Sequence, residues 1–420
     1  MITESLASAF RYPSLHRAQW KSRQSLEAIQ WRRFKAILQF AYANSPFYRQ
    51  RFDEAGIRPE DVKDRTDIGR IPVTTREDLR HSETLLCNGY RVEDLHCSLT
   101  TGSTGRRTRT YFDNRAWILA KVLLKMRARL ATGISPIDRI ALLQESDTVK
   151  KSSVLRERMF RLRSFSIDQT SSTLLEQLRE FRPTVLYGFP SHLQRLADEV
   201  DGDFPISRVY TSGELLVGET RKCIEAAFEA PVLDVYGCTE VKEISWQCNE
   251  RGGYHINSDW LLVETLTEDS TDGPDGPILV TALYNHAMPI IRYQVGDTGA
   301  LLQEDCPCGR GLPLMQPTGG RTVNYFEIPD GSSVSPYAMT YAMEQVRGLR
   351  QFQIIQMATN RVRVRAVEES DREQEISGEI RSQLGEVLPG VEIEVQKVEH
   401  IEPDRTGKFR IVFSQVSEAE

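Results

Sequence analysis

The sequence predicts an α/β protein in which a large N-terminal domain is followed by a small α+β domain. The first observation is length, because 420 residues exceed what one hydrophobic core supports and several domains or subdomains are expected. The second is a regular alternation of strand and helix patterns in the middle of the chain. The third is a change to longer strand patterns beyond residue 253.

An amphipathic helix is predicted over residues 24–41, because apolar side chains recur there at helical spacing. From residue 139 onward, short apolar runs alternate with amphipathic helices. They are a strand at 139–144, a helix at 171–181, a strand at 184–188, a helix at 190–200, a strand at 207–213, a helix at 219–230 and a strand at 231–237. Such alternation indicates a parallel sheet that is covered by helices.

Three of these strands run directly into glycine-containing loops. The loops read YGFPS from residue 187, TSGE from residue 211 and YGCTE from residue 236. Open parallel sheets bind ligands at the carboxyl ends of their strands. We therefore expect the three loops to share one crevice.

Beyond residue 253 the pattern predicts long strands at 254–266 and 276–284, with a turn at DGPDG between them. Two glycines, Gly319 and Gly320, then interrupt the chain. Further strand patterns and a helix near 371–387 follow them, which is typical of an α+β domain of about one hundred residues. We expect one domain over residues 1–319, with several helix-covered sheets, and a second over residues 320–420.

Composition and charge argue weakly against two classes of partner. Apolar residues make up 40% and charged residues 27%, and 53 basic against 59 acidic residues give a net charge of -6. An acidic balance argues against nucleic acid or an anionic membrane as the main partner. The sequence shows neither a run of 18 apolar residues nor a secretion signal at its start, and its seven cysteines are an odd number. We therefore expect reduced thiols and a cytoplasmic location.

The stretch SLTTGSTGRRTRTYFD, residues 98–113, is rich in glycine, hydroxyl and arginine side chains. It lacks the spacing of a Walker P-loop. Glycines let backbone N–H groups approach oxygen closely, hydroxyls donate hydrogen bonds and arginine offers a forked cation, so the composition suits phosphate. A solvated surface loop is the alternative interpretation.

Five motifs in a fixed order carry a resemblance to a known family. They are TTGSTG from residue 100, YGCTE from residue 236, RYQVGDTG from residue 292, GGRT from residue 319 and DRTGKFR from residue 404. This series resembles the adenylate-forming superfamily of acyl-CoA synthetases, adenylation domains and luciferases. AYANSPFYRQRFDEAGI, IPVTTREDLR and CPCGRGLP look most similar to the phenylacetate-CoA ligase branch and its capsule-biosynthesis-type relatives. The likeness extends over nearly the whole chain.

The resemblance implies an enzyme that converts a carboxylic acid and ATP to an acyl-adenylate and pyrophosphate, and then transfers the acyl group to the thiol of CoA. The first loop would clamp the phosphates, where the family usually has lysine in place of the arginine. Its residues are Thr100, Thr101, Gly102, Ser103, Thr104, Gly105 and Arg106. A clamp of this kind neutralises the repulsion between two anionic reactants and the charge that grows on pyrophosphate.

The second motif is expected to hold the adenosine half of ATP. Tyr236, followed by Gly237, would stack on adenine, and Thr239 would lie near the α-phosphate. Glu240 would hold Mg²⁺, which bridges phosphate oxygens. Gly213 and Glu214 resemble the loop that flanks adenine.

Residues nearer the C-terminus complete the implied ATP site. Asp297 would accept hydrogen bonds from both ribose hydroxyls, because a carboxylate offers two acceptor oxygens to a vicinal diol. Arg321 would reach the ribose or a phosphate. Lys408 would approach the carboxylate and the α-phosphate during adenylation, which suits a long-stemmed cation on a mobile domain. The glycines at 319 and 320 would allow the small domain to pivot.

Some members of this branch carry a structural zinc, and this chain has a matching ligand set. Cys248, His255, Cys306 and Cys308 could close a tetrahedral shell with no open position, so the role would be structural rather than catalytic. Four reduced, unligated side chains are the alternative.

The identity of the acid is left open by the sequence. Tyr187, Phe189 and Pro190 are candidate walls of its pocket, and aromatic walls are compatible with an aryl acid or a small organic acid. The arginine-rich run 156–164 could bind the 3′-phosphate of CoA, although a solvated helix face is the favoured interpretation. A homodimer is one option for the oligomeric state.

Two other functions stay open beside CoA ligation. The acyl-adenylate could instead be passed to a carrier-protein thiol, or to an amine or hydroxyl acceptor. The chain could also be a catalytically inactive nucleotide-binding scaffold. Retention of Glu240, Asp297 and Lys408 together argues against a scaffold, because a scaffold needs none of them.

Overall fold

The structure is a computed structural model. It describes residues 12–99, 108–135, 137–144, 161–167, 169–202, 204–216, 218–266, 276–319, 326–334, 338–339, 342–343, 345–346, 348–368, 373–399, 401 and 412–416. Two compact units are present: Met1–Ser98 together with Arg109–Arg321, and Leu99–Thr108 together with Thr322–Glu420.

The helices of the first unit lie around a large sheet. They are α1 (Arg23–Asn44), α2 (Pro46–Glu54), α3 (Arg76–Arg80), α4 (Asn114–Ile118), α5 (Leu124–Ala131), α6 (Ser171–Phe181), α7 (Pro190–Glu199) and α8 (Gly218–Phe228). One π-helical turn, Leu119–Leu123, joins α4 to α5, and 3-10 turns lie at Pro59–Asp61, Arg65–Arg70, Ser82–Leu85 and Val92–Asp94. The Ser22 hydroxyl caps α1 by accepting the Ser25 N–H, as expected of serine at this position.

The first thirteen strands form one small and one large sheet. They are β1 (His96–Leu99), β2 (Arg109–Phe112), β3 (Ile140–Gln144), β4 (Leu162–Ser166), β5 (Val185–Gly188), β6 (Arg208–Ser212), β7 (Val232–Cys238), β8 (Lys242–Gln247), β9 (Tyr254–Ile256), β10 (Leu261–Thr265), β11 (Gly276–Ala282), β12 (Tyr293–Leu302) and β13 (Leu314–Gly319). Strands β1 and β2 pair with each other, and the other eleven have the order β10-β11-β12-β13-β9-β8-β7-β6-β5-β3-β4.

The parallel half of the large sheet confirms the predicted α/β class. Strands β3 to β7 pair in parallel, with Tyr187 opposite Tyr210 and Ser212 opposite Val235. Side chains alternate between the two faces, so β5 packs with α6, α7 and α8 on one face and with α1 and α5 on the other. The register brings the carboxyl ends of β5, β6 and β7 to the same edge.

The second half of the sheet is antiparallel, and here the prediction of one strand over 254–266 is wrong. The chain turns between β9 and β10 because this turn supplies acceptors to the fully buried Arg127. Its guanidinium donates to Asn257 Oδ1 at 3.1 Å and to the two Asp259 carboxylate oxygens at 2.8 and 2.6 Å. Removing one partner from such a buried pair costs about 3–5 kcal/mol. The predicted turn at 272–275 lies outside the described residues.

The second unit contains a four-stranded sheet of order β18-β17-β16-β19, a two-stranded β14-β15 pair and one helix. The elements are β14 (Phe326–Glu327), β15 (Ser333–Val334), β16 (Leu349–Ala358), β17 (Arg361–Glu368), α9 (Glu373–Val387), β18 (Glu392–Lys397) and β19 (Val412–Ser414). Helix α9 and the sheet share one apolar core. In the part of the chain that the structure describes, no helix combines the length and the apolar character needed to cross a membrane.

Candidate active site

Tyr236 and Asp297 lie together at one end of the sheet. Tyr236 directly follows the buried part of β7, and Asp297 lies on β12. The Tyr236 hydroxyl donates a hydrogen bond to Asp297 Oδ2 at 3.0 Å. Burial, followed by the charge of Asp297, raises the pKa of Tyr236 well above its usual value. The phenol therefore stays protonated and remains a donor.

Glu240 lies at the tip of the hairpin between β7 and β8. Only 6% of its surface is exposed, and its Oε1 accepts a hydrogen bond from the Tyr293 hydroxyl at 2.9 Å. Tyr293 begins β12, so this contact and the Tyr236–Asp297 contact join the same two segments. Thr239, beside Glu240, is half-buried. A buried carboxylate that keeps one oxygen outside this hydrogen bond has the chemistry needed for a hard cation.

The hairpin after Tyr236 requires glycine at 237. A Cβ atom there would come within 2.2 Å of the Lys242 carbonyl oxygen. The pairing register also shifts at this point, because Tyr236 pairs with Ser245 and Gly237 pairs with Glu243. This bulge lets the chain fold back tightly behind Glu240.

Gly213 and Glu214 begin the loop after β6, whose last residue, Ser212, pairs with Val235, the residue before Tyr236. The Glu214 carboxylate accepts the Ser191 N–H at 3.0 Å and the Ser191 hydroxyl at 2.9 Å, at the start of α7. Anions are favoured at a helix N-terminus. Burial raises the pKa of Glu214 to about 7, and the bonds from Ser191 oppose that rise. This carboxylate therefore ties the loop after β6 to α7.

Sequence analysis missed Lys242. Its ammonium group donates to the Ser98 hydroxyl on β1 and lies 5.3 Å from the centre of the Phe112 ring. Burial lowers its pKa to about 8. Its position two residues after Glu240, on the far side of the hairpin, is the signal that could have identified it. The residue places a half-buried cation next to the strand that leads into the predicted phosphate loop.

The candidate walls of the acid pocket lie at the carboxyl end of β5. The Tyr187 hydroxyl donates to the Ser212 hydroxyl at 3.0 Å, which joins the ends of β5 and β6. Phe189 follows β5, and Pro190 is the first residue of α7, where a proline costs no hydrogen bond. The Phe189 ring packs so close to Gly213 that a Cβ there would lie 2.6 Å from it.

The four predicted zinc ligands form one cluster. The ligand atoms of Cys248, His255, Cys306 and Cys308 all lie within 4.8 Å of one another. Cys248 Sγ is 3.6 Å from Cys306 Sγ, and Cys308 Sγ is 3.3 Å from His255 Nε2. Zinc–sulfur bonds of about 2.3 Å in a tetrahedron put sulfur atoms roughly 3.8 Å apart, so the set fits zinc.

The histidine of the cluster is oriented for metal binding. His255 is fully buried, and burial lowers its pKa to about 4, which keeps the imidazole neutral. Its Nδ1 lies 3.4 Å from the carbonyl oxygen of Leu312, so the other nitrogen can face the cysteines. A backbone partner of this kind fixes the ring orientation in metal sites.

Several predicted site residues lie outside the described residues. They are the phosphate-loop residues Thr100, Thr101, Gly102, Ser103, Thr104, Gly105 and Arg106, together with Arg321 and Lys408. The same holds for Gly320 and for residues 156–160 of the arginine-rich run. Their roles stay predictions.

Comparison with known proteins agrees with these motifs. Residues 326–415 match the family model of the CapK C-terminal domain. Among solved structures, 2-hydroxyisobutyryl-CoA ligase in complex with 2-HIB-AMP and CoA in the thioesterification state superimposes with a TM-score of 0.65. It is 23% identical, with 95% of this chain and 91% of that chain covered. The likeness shows that the two proteins share a fold.

Two curated relatives extend the comparison to sequence. A phenylacetate-coenzyme A ligase of Thermus thermophilus is 29% identical over 331 residues, covering 71% of each chain. A phenylacetate-coenzyme A ligase of Escherichia coli is 31% identical over 302 residues, covering 66% of this chain and 67% of that protein. On these grounds the chain belongs to the phenylacetate-CoA ligase branch of the adenylate-forming superfamily, a family of AMP-forming acid–CoA ligases.

Proposed function

We propose that this protein activates an aryl or small organic acid with ATP and then transfers the acyl group to CoA. In the first step an oxygen of the substrate carboxylate bonds to the α-phosphorus of ATP, and the bond from that phosphorus to the bridging oxygen breaks. Pyrophosphate leaves. In the second step the CoA thiol gives its proton to solvent, its sulfur bonds to the acyl carbon, the bond from that carbon to the phosphate oxygen breaks, and AMP leaves.

The observation that carries this proposal is that the 3.0 Å and 2.9 Å hydrogen bonds join the segment of Tyr236 and Glu240 to the strand of Asp297, β12. An aromatic ring, a buried carboxylate and a second carboxylate suit adenine, a divalent cation and a ribose diol respectively. The family membership of the chain supports the same assignment.

Each group has a defined task in this proposal. Tyr236 stacks on adenine, and its hydroxyl orients Asp297, which accepts the ribose hydroxyls. Gly213 holds the adenine-flanking loop close to Tyr236, and Glu214 tethers that loop to α7. Glu240 holds Mg²⁺, which when bound neutralises charge on the phosphates. Thr239 donates to the α-phosphate.

The remaining predicted groups act on the phosphates and the reacting carboxylate. Residues 100–106 clamp the phosphates, Arg321 contacts the ribose or a phosphate, and Lys408 stabilises the charge that develops during adenylation. We propose that Lys408 belongs to a mobile domain of residues 320–420.

The cysteine–histidine cluster is proposed to hold a structural zinc. Three thiolates and one imidazole leave no position for substrate, so the ion would stabilise the fold rather than take part in the reaction. It would connect the segment after β8 to the loop before β13, where Cys306 and Cys308 lie.

A screen of carboxylic acids for AMP formation, with and without CoA, tests the proposal. We expect acid-dependent pyrophosphate exchange without CoA, and AMP release that depends on CoA. If AMP release requires a carrier protein and not CoA, the acyl acceptor is the carrier protein, and the proposed adenylation step still holds. An absence of exchange across a broad panel of acids would favour the inactive scaffold.

A further inference from the structure

Strand β8 carries a buried carboxylate to which none of these tasks is assigned. Glu243 exposes 7% of its surface, and its Oε2 accepts no hydrogen bond from any residue that the structure describes. Lys125 Nζ lies 4.0 Å from the other oxygen, Oε1, which is too long for a direct hydrogen bond. Leaving a buried acceptor unsatisfied costs about 1–3 kcal/mol, and more when the group is charged. A further hydrogen-bond donor would therefore stabilise this carboxylate.

The bulge in the β7–β8 pair determines where Glu243 points. Two steps along β8, from Ser245 to Glu243, match one step along β7, from Tyr236 to Gly237. Glu243 is thereby directed to the face opposite Tyr236, toward α5 and its Lys125. Bulges next to binding sites re-aim side chains in this way.

The charge of Glu243 acts on Tyr187, which lies at the carboxyl end of β5, where the acid pocket is expected. Burial raises the pKa of Tyr187 to about 12, and the charge of Glu243 is the second contribution to that rise. The Arg129 guanidinium lies 5.3 Å from the centre of the Tyr187 ring. Lys125 thus lies beside Glu243 and Arg129 beside Tyr187, and among the described residues the Oε2 atom of Glu243 has no hydrogen-bond partner.

The charges around Glu243 determine which kind of hydrogen-bond donor suits the unpaired oxygen of its carboxylate. Burial raises the pKa of Glu243, whereas Lys125 and Arg129 oppose that rise. Two cations already surround one carboxylate, so a further positive charge from a substrate ammonium would be repelled. A neutral hydroxyl supplies the hydrogen bond without adding charge.

We propose that Glu243 accepts a hydrogen bond from a hydroxyl group of the acid substrate, so that the enzyme acts on hydroxy-substituted carboxylic acids. This inference rests on the proposed acid–CoA ligase function and specifies its substrate class. A site built to bind a hydroxyl rejects the analogue that lacks it far more strongly than an apolar pocket rejects an added hydroxyl. The acid therefore differs from phenylacetate, which has no second polar group.

The test compares matched acids by kcat/KM for pyrophosphate exchange. The pairs are phenylacetate with its ring-hydroxylated forms, benzoate with hydroxybenzoates, butyrate with 3-hydroxybutyrate and hexanoate with 6-hydroxyhexanoate, each with its amino analogue. We expect at least one hydroxy acid to exceed its parent and amino analogue by about 10-fold or more. Glu243→Leu should reduce that preference to less than about 3-fold, and Glu243→Gln, which keeps an amide acceptor, should be intermediate.

Glu93→Leu is the matched control, because this glutamate is 61% exposed in its side chain and should leave the preference unchanged. If Glu243→Leu fails to fold, the comparison of hydroxy acids with their parent acids in the wild type and in Glu243→Gln still tests the inference. Exchange without a preference for hydroxy acids, a preference for amino acids, or a preference that survives both substitutions would overturn this inference alone. Failure of every acid to support exchange would instead overturn the proposed function.

Discussion

The hydroxyl of Tyr236 donates a 3.0 Å hydrogen bond to the carboxylate of Asp297, across 61 positions of sequence. The bond joins the end of a strand in the parallel half of the sheet to a strand in the antiparallel half. An aromatic ring and a carboxylate are thus held side by side by the protein itself, which reduces the ordering cost of binding.

Replacement of Asp297 by alanine should raise the KM for ATP about 10- to 100-fold, because two hydrogen bonds to a charged acceptor are lost. Tyr236→Phe keeps the ring and should change KM by less than about 5-fold. Steady-state kinetics with varied ATP measures both. Asp330→Ala, in an exposed turn, is the control, and an unchanged KM in Asp297→Ala would remove this carboxylate from the nucleotide site.

Glu240→Gln should weaken the use of Mg-ATP and shift activity to higher Mg²⁺ concentration, because an amide loses the charge that holds a hard cation. Activity is measured as a function of Mg²⁺ at fixed ATP. Tyr293→Phe removes only the hydrogen bond to this carboxylate and should have a smaller effect. A wild-type Mg²⁺ profile in Glu240→Gln would contradict the assignment.

Lys408→Ala should lower the rate of adenylate formation by about 100-fold or more while largely sparing nucleotide binding, because its charge acts on the developing transition state. Single-turnover pyrophosphate release gives the rate, and equilibrium binding of ATP gives the affinity. Lys63→Ala, an exposed lysine, is the matched control. Equal losses of rate and affinity would count against the role in catalysis.

The purified protein should contain about one zinc per chain, as a closed shell of four protein ligands implies. Elemental analysis measures the content, and a chelator should lower the melting temperature as it removes the ion. Cys306→Ser should abolish zinc retention, whereas Cys223→Ser, on α8, should keep it. A metal-free protein with unchanged thermal stability after chelator treatment would exclude the site.

The raised pKa of Glu214 should make the free energy of unfolding fall as pH rises. Its pKa is near 7 in the folded protein because of burial, against about 4.3 for an exposed glutamate. Between these values the folded state binds more protons than the unfolded chain, so the free energy of unfolding decreases as pH increases. Glu214→Gln should flatten the melting-temperature profile between about pH 4.5 and 7. A profile identical to that of the wild type would contradict the shift.

Much of the parallel half of the fold follows from local pattern. The predicted strand at 184–188 is β5, and the predicted helices at 171–181 and 190–200 are α6 and α7, each within a residue of its bounds. Apolar spacing, Pro190 at a helix start and glycines after strands are short-range signals, and they act on neighbouring residues. The motif order that identified the family is likewise a property of the chain.

Long-range contacts decided the rest. The break between β9 and β10 exists because Arg127, far away in sequence, needs the acceptors of Asn257 and Asp259. The bulge that turns Glu243 toward Lys125 depends on how two strands pair, and the zinc cluster requires Cys248 and Cys306 to meet across 58 residues. A periodic pattern records which face of an element is buried, whereas burial of a charge is settled by the partners that other segments bring to it.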